Sequence, residues 1–406
     1  MRQVLTSARA DDAVNAWRAT LSGLCASLVG IGLSRFAYTP LIPALIAAEW
    51  FTPPQSAYLG AANLAGYLAG ALLGRPMAAR APVGAVLRMM MVLATAAFFA
   101  CAFPLSFLWF FVWRFAAGLS GGALMVLAAP SVLPHVVSSR RGLAGGIIFT
   151  GVGLGIVASG TLVPLFLRFG LFEAWCGLGA ISLLLTAASW RGWPHERALR
   201  NTAPESLRAA PARPLLKALY VEYALNAVGL VPHMVFLVDF IARDLGRGLD
   251  VGARYWIIFG IGATAGPLLA GLIADRIGFR LALRLAFVVQ AAMVGMLVAA
   301  TGPTVLIVSS IVVGAMVPGI VPLVLGRIHE IVPRAQARGA AWSLCTTAFA
   351  VGQAAAAYGF AYIFERTDGV YQVLFALGAG ALLLAVIVDL AAAAMDRNAG
   401  RTSKSA

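Results

Sequence analysis

Charged residues are scarce in this sequence, and their scarcity excludes most soluble proteins. Only 11% of the 406 residues are charged, and 61% are hydrophobic, whereas a soluble domain carries about 25% charged residues. A chain of this composition cannot cover itself with a water-soluble surface. The sequence therefore indicates a protein whose main solvent is lipid.

Cysteine is also rare, and two common catalytic signatures are missing. The four cysteines all fall within apolar runs, and none belongs to a CxxC pair, which argues against a zinc site or a disulfide framework. The sequence has neither the HExxH pattern of zinc proteases nor a phosphate-binding P-loop. We therefore expect no enzyme, no metal, no cofactor and no ATP drive within this chain.

Acidic residues are outnumbered by basic ones, and the net charge is +14. A basic balance can indicate nucleic-acid binding, but basic cytoplasmic loops give membrane proteins the same excess. No basic arm or domain stands apart from the loops. We therefore expect the lipid bilayer, and no nucleic acid, as a partner.

Long apolar runs are what the sequence does contain. A membrane-spanning helix needs about 20 mostly apolar residues, and backbone groups in lipid must bond within their own helix. Twelve runs meet this requirement, at 17–47, 56–75, 83–103, 106–134, 142–167, 171–190, 215–241, 254–275, 281–301, 304–326, 339–364 and 370–391. The predicted fold class is an all-α membrane protein with twelve transmembrane helices.

Loop charges predict the orientation of these spans. With the N-terminus in the cytoplasm, 23 of the 30 Lys and Arg residues fall on the inner side and five on the outer side, as the positive-inside rule requires. Both termini are then cytoplasmic, and the inner (plasma) membrane is the expected location. The polar stretch 191–214 is interpreted as a cytoplasmic linker. It separates an N-terminal six-helix bundle, 1–190, from a C-terminal six-helix bundle with a short cytoplasmic tail, 215–406.

A basic loop motif occurs twice in the chain. Residues 271–280 read Gly-Leu-Ile-Ala-Asp-Arg-Ile-Gly-Phe-Arg, and a weaker copy lies at 70–80, with Gly74 in place of the acid. The copy at 271–280 resembles at every position the signature loop Gly-x-x-x-Asp-Arg-x-Gly-x-Arg of the major facilitator superfamily. The stretches 35–43 and 223–234 are similar to its YbfB/YjiJ-type branch. The resemblance implies two pseudo-symmetric six-helix bundles that work as a secondary transporter by alternating access.

Two arginines within the spans suggest the class of cargo. Arg35 and Arg114 lie in the first and fourth spans, where a charge costs several kcal/mol unless it is paired or wet. Each could simply pair with backbone carbonyls or a polar neighbour. We favour a cationic lining that binds an oxyanion, because the first half has no acid within its spans and guanidinium forks fit carboxylates. The resemblance also aligns Arg114-x3-Gly118 with the family's helix-4 arginine motif.

Neutral polar residues complete the predicted substrate site. Tyr38 and Asn226 are expected to orient the substrate that the arginines bind. Gln353 and Tyr358, in the eleventh span, add further neutral polar groups.

The seventh span contains the candidates for a coupling proton. Glu222 and His233 lie within it, and Gly229 and Pro232 are expected to interrupt it, as transporter helices are often interrupted near a binding site. Histidine titrates near physiological pH, although a neutral histidine bonded to a neighbouring helix is the alternative for His233. Asp239 is expected to pair with Arg243 at i, i+4.

The loop at 271–280 is predicted to form a gating latch. In the resembled fold this loop meets the start of the fifth helix, here Arg141, and an acid beside a helix N-terminus is favoured by the helix dipole. The predicted latch residues are Asp275, Arg276, Arg280 and Arg141. The alternative is that Asp275 only helps to set topology.

The sequence therefore predicts a secondary active transporter for a small anionic organic solute, with a proton as coupling partner and a monomeric state. Proton-driven efflux of drugs or metabolites is the alternative. It predicts an exposed acid in the cavity and a preference for lipophilic cations, and Arg35 argues against it. A membrane enzyme or sensor would need a clustered catalytic set or an appended soluble domain, and the sequence shows neither.

Overall fold

A computed structural model describes residues 16–137, 141–194, 214–333 and 335–402, which form twelve long helices. Each helix contains a stretch that is long and apolar enough to cross a bilayer. The helices are α1 (Ala16–Ala47), α2 (Pro53–Arg80), α3 (Val83–Ala100), α4 (Phe107–His135), α5 (Arg141–Leu167), α6 (Leu171–Ser189), α7 (Pro214–Asp244), α8 (Leu249–Ile277), α9 (Phe279–Ala299), α10 (Pro303–Ile331), α11 (Ala335–Arg366) and α12 (Tyr371–Thr402). The predicted all-α class with twelve transmembrane helices is confirmed.

Local sequence signals determine where two of the first helices begin. Thr52 forms a capping box with Gln55, in which the Gln55 N–H donates to Thr52 Oγ1 at 3.4 Å and the Thr52 N–H donates to Gln55 Oε1 at 3.0 Å. Pro53 occupies the first helical position, where no backbone donor is needed. Ser106 caps α4 by accepting the N–H of Trp109 at 3.1 Å.

The turn between α8 and α9 is shorter than the predicted hairpin. Helix α8 continues to Ile277 and α9 begins at Phe279, so Gly278 alone makes the turn. Its φ of +82° lies in the left-handed region, which glycine adopts without strain. A Cβ at Gly271 would meet no atom within 4 Å, so close packing does not require that glycine.

Helices α1 and α7 both contain π-helical turns. In α1 such a turn covers Leu28–Leu33, just before Arg35. In α7, π-helical turns cover Pro232–Phe236 and Phe240–Asp244. The predicted interruption near Pro232 is therefore a change of helical pitch within one continuous span. Turns of this kind are frequent at functional sites.

Contacts between residues divide the chain into two units. Of the described residues, 16–194 and 248–257 belong to the first unit, and 214–247 and those from 258 onward belong to the second. The first turns of α8 thus pack with the first unit. The predicted linker falls mainly on 195–213, outside the described residues, so its role as a domain boundary stays a prediction.

Glycines allow α2 and α4 to lie unusually close within the first unit. A Cβ added at Gly66 would collide with the backbone carbonyl of Phe115, and one added at Gly70 would collide with that of Leu119. From the other side, a Cβ at Gly118 would collide with the carbonyl of Asn63. The helices touch backbone to backbone, as small residues spaced four apart permit.

The same crossing recurs between α8 and α10 in the second unit. Added Cβ atoms at Gly262 and Gly266 would collide with the carbonyls of Ile311 and Ala315. These glycines lie 196 positions after Gly66 and Gly70. The two crossings therefore repeat one packing arrangement. The described contacts of these glycines lie within a single unit.

Candidate substrate and proton sites

Arg114 is buried within the first unit, with 2% of its surface exposed. Its Nη1 donates to the backbone carbonyl of Ser34 at 2.9 Å, and its guanidinium carbon lies 4.1 Å from the centre of the Tyr38 ring. Its Nε–H is buried and has no hydrogen-bond partner among the described residues. A carbonyl and an aromatic face therefore solvate this cation only in part.

A narrow space beside Arg114 is lined by several groups that can donate hydrogen bonds. Ser34, Cys101 and Trp175 line it together with Arg114, and it is too narrow in this conformation to admit a water molecule. Ser34 Oγ and Trp175 Nε1 are buried and, like Arg114 Nε, have no hydrogen-bond partner among the described residues. Indole and guanidinium N–H groups only donate, so this set of groups suits an acceptor.

Tyr38 and Asn63 organise the backbone around Arg114. The Tyr38 hydroxyl donates to the carbonyl of Ser56 at 2.9 Å. Asn63 Nδ2 donates to the carbonyl of Arg114 at 3.1 Å and to that of Ser34 at 3.5 Å. The structure thus brings the Tyr38 ring and Arg114 together, and the Tyr38 hydroxyl is engaged with α2.

Arg35 is half-buried and lies between two aromatic rings. Its guanidinium carbon is 5.2 Å from the centre of the Tyr67 ring and 5.3 Å from that of Phe36. Cation–π contacts of this kind contribute about 0.5–2 kcal/mol each, depending on desolvation. The contacts stabilise the arginine without neutralising its charge.

Carboxylates in the first unit lie only at helix ends. Among its described residues they are Glu49, which follows α1, Glu173 in the first turn of α6, and Asp250 in the first turn of α8. None of the described acids forms an ion pair with Arg114. The interior of this unit is therefore basic.

Glu222 lies in a charged cluster near the start of α7, in the second unit. It is 5% exposed, and the charges that act on it belong to Asp389 of α12, Arg327 of α10, and Arg284 and Arg280 of α9. Arg284 and Asp389 pair at 2.5 Å. The gain or loss of one proton at Glu222 therefore changes its interactions with three neighbouring helices.

Asn226 and His233 lie on the same face of α7 as Glu222, since the spacings of four and seven residues both match the helical repeat. Both are fully buried. Asn226 Nδ2 donates to Gln290 Oε1 at 2.8 Å, and His233 Nε2 lies 2.8 Å from Ser309 Oγ. The amide nitrogen of Asn226 is thus engaged with α9, and His233 is bonded to a neighbouring helix.

The two polar candidates of α11 differ in burial. Gln353 is 1% exposed, and its Nε2 lies 3.6 Å from the sulfur of Met234 in α7. Its Oε1 is buried without a hydrogen-bond partner among the described residues. Tyr358 is half-buried. The predicted substrate site combines these residues and Asn226 with arginines of the first unit, and that combination stays a prediction.

The sequence between residues 27 and 390 matches the family model described as the uncharacterised MFS-type transporter YbfB. The chain belongs to this family. It is therefore a multi-pass membrane protein of a transporter family, which is not a class of enzymes. A comparison with curated proteins finds no match.

Solved structures of major facilitator transporters share the fold of this YbfB-type chain. A mutant of the nucleoside transporter NupG superposes with a TM-score of 0.73 at 14% identity, covering 92% of this chain and 99% of NupG. A D-xylose-proton symporter superposes with a TM-score of 0.68 at 16% identity, covering 91% and 96%. At these identities the likeness establishes the fold alone.

The predicted latch of the YbfB-type chain is described only in part. Asp275 and Arg276 are exposed in the last turn of α8, and Arg280 is half-buried in the first turn of α9, where it acts on Glu222. The side chain of Arg141 lies outside the described residues. The latch between the two segments therefore stays a prediction.

The i, i+4 pair at the end of α7 is confirmed. Arg243 Nη1 lies 3.2 Å from Asp239 Oδ2. Sequence spacing did not reveal the second partner of Asp239, the hydroxyl of Tyr371 in α12, which donates to the same carboxylate. Asp239 is 2% exposed, so this cluster joins α7 to α12 in the interior of the unit.

Several functional candidates were missed in the sequence. Gln290, Ser309 and Asn63 are buried in the spans and contact predicted residues, and Asp389 is buried there and pairs with Arg284. Asp389 is an acid within an apolar run, and that position is itself a sequence signal of function. The other three are uncharged, and their partners lie between 51 and 76 residues away along the chain.

Among the described residues, no three His, Cys, Asp or Glu side chains are grouped as metal ligands. Cys25, Cys101, Cys176 and Cys345 are all free thiols. Two are buried and two are half-buried.

Proposed function

We propose that this chain is a secondary active transporter that moves a small anionic organic solute across the inner membrane by alternating access, coupled to protons. One observation carries the proposal. Arg114 is buried in a unit whose described acids all lie at helix ends. A buried guanidinium without an acidic partner is costly, and an anionic cargo supplies the missing charge.

The groups around Arg114 support an oxyanion rather than a cation. Arg114, Ser34 and Trp175 line one space. Arg114 Nε, Ser34 Oγ and Trp175 Nε1 are buried without hydrogen-bond partners among the described residues. Charge-assisted hydrogen bonds from a planar guanidinium to a carboxylate are among the strongest in proteins. Arg35 adds a second positive charge to the same unit.

Coupling to protons is supported by the second unit and by the solved relatives. Glu222 and His233 are buried ionisable groups on one face of α7, and such groups within membrane spans are often functional. The relatives are a nucleoside transporter and a D-xylose-proton symporter. Both are named for small organic cargoes, and the second also for a proton. These names support a small organic cargo and a coupling proton for this chain.

The orientation and the state of assembly complete the proposal. The excess of basic residues, 23 on one side against five on the other, supports cytoplasmic termini in the inner membrane. We propose that a single chain is the working unit, because the two units together contain all the predicted substrate and proton residues.

An uptake screen in liposomes tests the proposal. Radiolabelled carboxylates, neutral nucleosides and sugars, and lipophilic cations are offered with and without a pH gradient. We expect uptake of carboxylates, stimulated by the gradient, and its loss in Arg114→Ala protein that still inserts. Arg88→Ala, which alters a more peripheral arginine of the same unit, serves as the matched control and should retain uptake.

The other outcomes of the screen are equally informative. Uptake of neutral solutes alone refutes the anionic cargo, although a transporter remains. Transport of lipophilic cations alone refutes it in favour of drug efflux. Carboxylate uptake that does not respond to any pH gradient refutes proton coupling.

A further inference from the structure

The imidazole of His233 is held by two neighbouring helices of the second unit. It lies in the π-helical turn Pro232–Phe236 and has no exposed surface. The ring of Phe375 in α12 packs against it edge-on, with ring centres 5.3 Å apart. On the other side, Ser309 of α10 lies 2.8 Å from Nε2.

A chain of two hydrogen bonds determines where the imidazole carries its proton. The Ser309 hydroxyl donates its single proton to the backbone carbonyl of Met293 in α9, at 2.7 Å. It therefore has only lone pairs to offer His233. Because Nε2 lies within hydrogen-bonding distance of that oxygen, Nε2 must be the donor. The ring is the Nε2–H tautomer.

This assignment leaves Nδ1 with a lone pair. Nδ1 is buried and accepts no hydrogen bond from the described residues. A charged imidazolium would need a counter-charge in such an apolar interior. The ion pairs among the described residues do not include His233, so the neutral Nε2–H tautomer fits this interior and Nδ1 is a bare acceptor.

The elements packed around the ring present few ionisable groups to it. Helix α12 offers Phe375, and its Tyr371 is bonded to Asp239. Helices α10 and α9 offer the Ser309 hydroxyl and a carbonyl. On α7 itself, Glu222 and Asp239 are 11 and six residues away, and Gln353 of α11 contacts Met234, the residue after His233.

We infer that Nδ1 of His233 is the atom that takes up the coupling proton, and that Ser309 is a positioning residue that keeps this atom free. The inference rests on the proposed proton-coupled function. When Nδ1 gains a proton, the Nε2–H bond to Ser309 is retained, so only one nitrogen changes. Release of that proton restores the same neutral tautomer.

Nitrogen-15 NMR of histidine-labelled protein tests the tautomer without any transport measurement. The chain has four histidines, and the signal of His233 is the one lost in His233→Gln. We expect the wild-type signal of a ring protonated at Nε2 alone. A ring protonated at Nδ1 overturns the inference.

Serine variants test whether Ser309 sets the tautomer. We expect Ser309→Ala to shift the His233 signal toward a mixture of tautomers and Ser309→Thr to restore it. Ser310→Ala is the matched control, because Ser310 is the next residue, is equally buried and has a hydroxyl without a partner among the described residues. An unchanged signal in folded Ser309→Ala protein overturns the positioning role.

Transport assays separate the inference from the proposed function. We expect His233→Gln to lose pH-gradient-driven accumulation while retaining exchange of labelled for unlabelled solute at equal pH. Full gradient-driven accumulation in His233→Gln overturns the role of His233 while leaving proton-coupled transport intact. Wild-type protein that ignores the gradient overturns proton coupling as a whole, yet the NMR result still stands by itself.

Discussion

The crossings of α2 with α4 and of α8 with α10 share a backbone arrangement but differ in side-chain chemistry. In the first unit, Asn63 of α2 donates to the backbone carbonyl of Arg114 of α4. The positions 196 residues later hold Phe259 and Ser310. Glycines that set the distance occur in both crossings, whereas the amide of Asn63 corresponds to an aromatic ring and the guanidinium of Arg114 to a hydroxyl.

The difference extends to the distribution of acids. The first unit keeps its described carboxylates at helix ends, whereas the second buries Glu222, Asp239 and Asp389 within its spans. Close backbone contact tolerates only glycine, so the packing is fixed. Side chains that face the interior are not fixed in this way. This difference supports the proposal that the first unit binds the anion and the second unit the proton.

The largest effect is expected from filling the shared crossings. Gly66→Ala and Gly262→Ala place a methyl group against a backbone carbonyl, so each should lower the free energy of unfolding by more than about 3 kcal/mol, beyond ordinary overpacking. Unfolding in detergent measures the loss. Gly271→Ala, on the same helix as Gly262 but facing open space, should be neutral or stabilising by up to about 1 kcal/mol. Equal losses of stability at Gly262 and Gly271 would contradict the claim that backbone contact at the crossing determines the cost.

A smaller effect is expected from replacing either of two arginines that contact the last helix of their unit. Arg284 pairs with the carboxylate of Asp389, whereas Arg88, 196 positions earlier, donates to the carbonyl of Trp190 at 2.8 Å. Arg284→Ala leaves a mostly buried acid without its partner, which costs roughly 2–3 kcal/mol after allowing for partial exposure. Arg88→Ala loses a bond to a neutral group, about 0.5–1.5 kcal/mol.

A double variant checks the reason for that difference. Arg284→Ala combined with Asp389→Asn removes the uncompensated charge, so it should be more stable than Arg284→Ala alone. Thermal unfolding in detergent gives the comparison. A double variant that is less stable than the single one would show that packing, and not the lost ion pair, determines the cost.

The smallest effect is expected at two tyrosine hydroxyls. Tyr371 donates to a carboxylate that Arg243 also holds, and Tyr38 donates to the neutral carbonyl of Ser56. Tyr371→Phe should cost about 1.5 kcal/mol, because bonds to charged groups are stronger, and Tyr38→Phe about 0.5–1 kcal/mol. The same unfolding assay ranks them, and a reversed order would count against a charged Asp239.

Much of the fold can be predicted from the sequence because membrane spans are recognisable as apolar runs. Each span is a run of about 20 apolar residues, and Asp239 and Arg243 reveal their pairing by being four residues apart. The turn at Gly278 was placed correctly, although both helices extend further toward it. Short-range patterns of this kind need no knowledge of neighbouring helices.

The contacts that define the candidate sites could not be read in this way. His233 was recognised as ionisable, but its bond to Ser309 depends on how α7 and α10 pack, and the two residues are 76 positions apart. The π-helical turns of α1 and α7 likewise change which face a side chain occupies. No hydrophobic period in the sequence encodes them.

Exchange of a transported carboxylate, measured at equal pH on both sides of liposomes, tests the division of labour most directly. We expect His233→Gln to retain exchange while losing accumulation driven by a pH gradient, because it alters only the proton site. Arg114→Ala should lose both activities, because the anion is no longer bound. Exchange at the wild-type rate in Arg114→Ala protein would contradict the claim that the first unit recognises the anion.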